Sequence, residues 1–86
     1  MNRYVRFDLV ADAEPGVLPR LLQPFARRDL LPDQVRTRRR GEVIEAVLEM
    51  AAMPDEMVPL VEGNLRQVVG VRTVSVTWCR AAQLAA

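Results

Sequence analysis

Residues 4–28 read YVRFDLVADAEPGVLPRLLQPFARR, and within them the spacing of apolar side chains changes once. Over residues 4–10 the spacing is two. Val5, Phe7 and Leu9 fall on one side of an extended chain, with Tyr4, Arg6 and Asp8 on the other. That alternation predicts a strand with one buried face. After the break DAEPG the spacing becomes three to four, and Val17, Leu18, Leu21, Leu22 and Phe25 share a helical stripe from which Arg20, Gln23 and Arg27 are excluded. A helix is expected over about 16–28. Pro19 is compatible with it in the first turn, where a missing N–H costs no intrahelical bond, and this sets the start near residue 16. Arg27 and Arg28 then fall in the last turn, where exposed carbonyls favour positive charge.

The rest of the chain repeats this unit. DLLPD makes the connection, and Pro32 prevents the helix from continuing. QVRTRRR, residues 34–40, has strand character at Val35 and Thr37 but is mostly charged, which predicts an edge strand. Gly41 supplies a tight turn. EVIEAVLEM, residues 42–50, alternates Ile44, Ala46, Leu48 and Met50 against Val43, Glu45, Val47 and Glu49, so both faces carry apolar residues, which fits a more central strand or one whose second face meets a partner. MPDEM opens a second helix near residue 56, with Asp55 and Glu56 at its positive end, a stripe of Met57, Leu60, Val61, Leu65 and Val68, and Gly70 as its stop. VRTVSVTW, residues 71–78, is the last strand, with Val74, Val76 and Trp78 on one face. The order β-α-β-β-α-β predicts an α+β, ferredoxin-like fold: a four-stranded antiparallel sheet with two helices on one face. Residues 1–80 form the single domain expected, and 81–86 a short tail with little to pin it.

Composition narrows the function. The 86 residues carry 12 basic and 11 acidic side chains, with a net charge of +1, and 50% are apolar. Such a balance gives no general pull toward nucleic acid or an anionic membrane. There is no histidine and one cysteine, Cys79, so neither an internal disulfide nor a structural zinc site is expected. Asp8 points from the sheet while Asp12 and Glu14 belong to a loop, so no carboxylate pair for acid–base chemistry is expected. The chain contains neither GxGxxG nor GxxxxGK[ST]. No cofactor and no catalytic residue are predicted, nor is there a membrane-spanning run; a cytoplasmic protein is expected. RTRRR offers arginines for phosphate, but the strands lack the aromatics that RNA-binding sheets of this fold use. Glu45 and Glu49 are expected on the open surface, where they would repel phosphate.

Read together, AEPGVLPRLLQPFARRDLLPDQV (13–35) resembles the opening of the ACT domain, in particular that of acetolactate synthase small, or regulatory, subunits. Pro15, Gly16, Val17 and Leu18 match the family's turn and helix start, and Phe25, Arg27 and Arg28 its helix end. LVEGNLRQVVGVRTVSV (60–76) is similar to the family's second helix and fourth strand. The resemblance implies paired chains, docking onto the catalytic chain of acetolactate synthase in branched-chain amino-acid biosynthesis, and an amino-acid effector at the interface. Its contacts would be Ala13, Gly16, Val17 and Leu18, with N–H groups around Gly16 meeting the effector carboxylate. Ala13 stands where the family has asparagine, and Asp29 where it has glycine after the arginine pair. Two other readings share these residues: a free-standing ACT amino-acid sensor serving another protein, and an RNA-binding ferredoxin-like domain.

Overall fold

The computed structural model describes residues 2–79, except for the side chain of Cys79. Its elements are β1 (Asn2–Asp12), α1 (Val17–Ala26), β2 (Gln34–Arg40), β3 (Val43–Pro54), a 3-10 turn (Asp55–Met57), α2 (Val58–Arg66) and β4 (Val71–Cys79). The antiparallel sheet runs in the order β2-β3-β1-β4. This is the ferredoxin-like arrangement expected from the apolar spacing. β1, the most regularly alternating segment, is interior, and its Val5, Phe7, Leu9 and Ala11 are all buried. Opposite them Leu21 and Phe25 of α1 and Val58, Val61 and Leu65 of α2 complete one core. Phe7 and Phe25 meet edge to face, with centroids 5.5 Å apart at 88°, which contributes about 0.5–1.5 kcal/mol beyond burial.

Several boundaries depart from the sequence expectation. β1 and β3 are both longer, and β3 reaches Pro54. A register shift between Arg3 and Val5 lets Met53 return to the core opposite Arg3. Asp55 and Glu56 consequently lie in the 3-10 turn before α2 rather than in its first turn, and Asp55 pairs with Arg3 at 3.1 Å. α2 ends at Arg66, four residues before Gly70, whose φ of +96° serves the turn into β4. α1 ends at Ala26, so Arg27 and Arg28 follow its last turn. Arg28 still reaches back, donating to the Pro24 carbonyl at 3.3 Å. Pro24 itself lies inside α1, buried, and cannot donate to the Arg20 carbonyl one turn earlier. Trp78, on the same face of β4 as Val74 and Val76, is 44% exposed because it sits near the end of this edge strand; Arg3 lies 5.1 Å from its ring centroid.

Glu49 also departs from expectation. It belongs to the sheet face away from the helices, yet is only 8% exposed. The Tyr4 hydroxyl donates to its Oε1, and Arg36 approaches at 3.6 Å. Neighbouring charges on that face are paired as well: Arg6 with Asp8 at 3.0 Å, Arg40 with Glu45 at 3.4 Å. The hydrogen bond to Asp8 holds the Arg6 guanidinium above its usual range, with Glu49 adding to the effect against partial burial. Residues 1 and 80–86, including the expected tail, lie outside the described residues.

Candidate functional site

The connection from β1 to α1 is tied at both ends by main-chain bonds. Asp12 N–H donates to Gly70 O at 2.8 Å and Ala13 N–H to Glu42 O at 2.9 Å. Glu14 N–H returns to Asp12 O and Val17 N–H to Glu14 O. These bonds join the β1–α1 turn to the β2–β3 hairpin and to the turn before β4. They also consume most donors at the mouth of α1. Pro15 and Pro19 have none, which leaves the Gly16 and Leu18 N–H groups without an internal acceptor among the described residues.

Beside this mouth lies a cleft of about 270 Å³. Ala13, Glu14, Pro15, Val17 and Leu18 line it from the β1–α1 side, and Arg39 and Ile44 from the sheet. Three of the four residues expected from sequence are therefore brought together: Ala13, Val17 and Leu18. Val17 is also core, at 1% exposure, and so offers little surface to a ligand. Gly16 does not border the cleft. It lies instead against Arg20, whose Nη2 is 2.9 Å from where a Cβ on residue 16 would stand. Arg20 also donates to Val69 O at 3.2 Å and lies 3.6 Å from Glu14.

Arg39 and Ile44 were missed by the sequence reading. They are opposite each other across the hairpin, so both face the helix side of the sheet. The signal was available: counting pairs back from the turn at Gly41 aligns Arg39 with Ile44. Arg39 Nε donates to Gly41 O at 2.9 Å, holding its stem along the hairpin. The lining thus combines one carboxylate and one guanidinium with small and aliphatic side chains. Other carboxylates near the turn have their own partners, Asp12 with Arg72 at 2.8 Å and Asp8 with Arg6. Among the described residues no group of three His, Cys, Asp or Glu side chains could hold a metal ion, and no helix is long and apolar enough to cross a membrane.

Two helices on one face of a β2-β3-β1-β4 sheet, with a ligand-sized cleft at the first turn, define an open-faced ferredoxin-like domain. The chain belongs to the family of ACT-like domains, whose model matches residues 1–84. Solved structures agree on the fold. The ACT domain from GTP pyrophosphokinase of Chlorobium tepidum superposes with a TM-score of 0.77 at 14% identity, covering 90% of this chain and 100% of that one. The C-terminal domain of the MgtC protein from Mycobacterium tuberculosis gives 0.72 at 15% identity, covering 95% and 93%. The regulatory subunit of aspartate kinase from Thermus thermophilus, in its ligand-free form, gives 0.64 at 16% identity, covering 87% of this chain and 50% of that one. No curated protein matches the sequence.

Proposed function

We propose that this chain is a noncatalytic regulatory domain that binds an amino acid in the cleft at the mouth of α1 and works as a homodimer. The observation that carries the reading is the lining, which places Glu14 and Arg39 around an otherwise small and aliphatic surface. A zwitterion matches it. Its carboxylate is received by Arg39 and by the open N–H group of Leu18, and its ammonium by Glu14. Ala13, Leu18 and Ile44 leave room for a branched aliphatic side chain. Ala13 supplies no side-chain hydrogen bond, so the charged pair carries a larger share of recognition here than in relatives with asparagine at the turn.

A second copy fits along the edge next to the cleft. β2 is an edge strand with every residue exposed. On its helix-facing side Val35 is 46% exposed. Leu22, one turn beyond the cleft residue Leu18 and on the same side of α1, is 36% exposed. Pairing β2 with β2 of another copy would satisfy the free backbone groups, cover these side chains and close the cleft.

The particular enzyme served is, on this reading, acetolactate synthase, a choice that rests on the sequence resemblance at Pro15–Leu18, at Phe25, Arg27 and Arg28, and over residues 60–76. A free-standing sensor is the alternative. Calorimetric titration with valine, leucine and isoleucine tests the effector reading: one of them is expected to bind, and Arg39→Ala to weaken it by about tenfold or more. Heat only of dilution for all three would overturn it. Co-purification with the acetolactate synthase catalytic chain tests the partner separately.

A further inference from the structure

A second cleft, of about 290 Å³, lies between the two helices. Arg20, Gln23 and Arg27 line it from α1, Asn64 and Gln67 from α2 and the turn after it, and Val68 and Val69 from that same turn. Every charged side chain in this lining is arginine, in a chain whose charges otherwise nearly cancel. Arg27 is exposed and makes no ion pair among the described residues. Three carboxamides supply both donors and acceptors. Asn64 Oδ1, moreover, is sealed from solvent without a hydrogen-bond partner, a condition that costs about 1–3 kcal/mol unless a donor is provided.

We infer that this interhelical cleft binds a small organic anion carrying two or more negative charges. Arg20 and Arg27 stand seven residues apart, about 10.5 Å along the helix axis, so their side chains converge on an anion from two ends of the cleft. Arg27 has no carboxylate partner among the described residues, whereas Arg20 lies 3.6 Å from Glu14, so the second negative charge of such an anion competes with Glu14 for Arg20. The carboxamides between them suit the hydroxyl or carbonyl groups of such a molecule, and a rotation of the Asn64 side chain would bring its unspent acceptor to a ligand donor. The site is separate from the cleft at the mouth of α1, and the inference does not depend on the function proposed above. The two are joined by Arg20, whose guanidinium lies over Gly16 and beside Glu14. An anion that draws Arg20 into the interhelical cleft therefore releases Glu14, the residue expected to hold an effector ammonium.

The test is a titration of the whole chain, read in amide correlation spectra, with citrate and inorganic pyrophosphate as separate probes at physiological salt. At least one probe is expected to give saturable shifts at the side-chain amides of Gln23, Asn64 and Gln67, with a dissociation constant of about 1 mM or below. Arg27→Gln should weaken it by about tenfold or more, while Arg38→Gln, on the far face of the sheet, should leave it unchanged. Saturation by citrate alone assigns the site to polycarboxylates, by pyrophosphate alone to phosphates, and by both to charge. The inference is overturned if neither probe saturates by about 10 mM. Shifts that survive Arg27→Gln, or that gather around Arg36–Arg40 instead, overturn it equally.

Discussion

Asp29 shows how one residue can carry a local backbone cost. Its N–H donates to Ala26 O at 3.1 Å, and Leu30 N–H to Phe25 O at 2.9 Å, the paired bonds of a Schellman ending for α1. That ending needs a left-handed residue, and Asp29 supplies φ of 54°. Glycine adopts this conformation without the Cβ clash. Asp29→Gly is therefore expected to stabilise the chain by about 0.5–1 kcal/mol, read as a rise in the thermal midpoint; a fall would show the carboxylate to have a role the geometry does not reveal. Glu49 is the opposite case, a buried carboxylate that depends on its neighbours. Tyr4→Phe removes the hydroxyl that donates to it. This should cost about 1–3 kcal/mol in urea unfolding, and an unchanged midpoint would mean that Arg36 and solvent suffice.

Among the elements, the two β-α-β halves were legible because each is written in a local period. β1, the stripe of α1 and the charged edge β2 follow from alternation and spacing alone. What the local pattern could not contain was the length of β3. MPDEM carries the acidic start of a helix, but the shift between Arg3 and Val5 draws Met53 into the core across a strand nearly fifty residues away. The same limit applied to the site. Ala13, Val17 and Leu18 are neighbours in sequence and could be named together, whereas the placement of Arg20 over Gly16 depends on Val69 O, 49 residues distant. Two glycines test the element geometry with opposite signs. Gly41 turns the β2–β3 hairpin at φ of +59°, and Gly63 lies inside α2; an added Cβ meets nothing within 4 Å at either. Backbone preference alone then decides. Gly41→Ala should cost about 1 kcal/mol and Gly63→Ala should gain about 0.5–1 kcal/mol. Thermal midpoints moving in the same direction would contradict the assigned backbone at one of the two.

At the scale of the whole molecule, stability should depend on how many copies are present. A chain of 86 residues buries only about 60–65% of its unfolded surface, and this one builds a single core from one face of a four-stranded sheet. Among the described residues it nevertheless leaves β2 unpaired along its outer side, with Val35 of that strand and Leu22 of α1 exposed. If a second copy pairs there, association stabilises the folded state and not the unfolded one, so the thermal midpoint must rise with concentration. A hundredfold increase in protein should raise it by about 5 °C or more, given the sensitivity of domains of this size. Val35→Asp provides the discriminating variant. The side chain is nearly half exposed in one copy, so the monomer tolerates the change, but a pair would bury two facing carboxylates. Its midpoint should be nearly flat with concentration and should meet that of the unaltered chain at high dilution. A flat dependence in the unaltered chain would instead leave the edge to another protein, and the cleft at the mouth of α1 would then have to be closed by that partner.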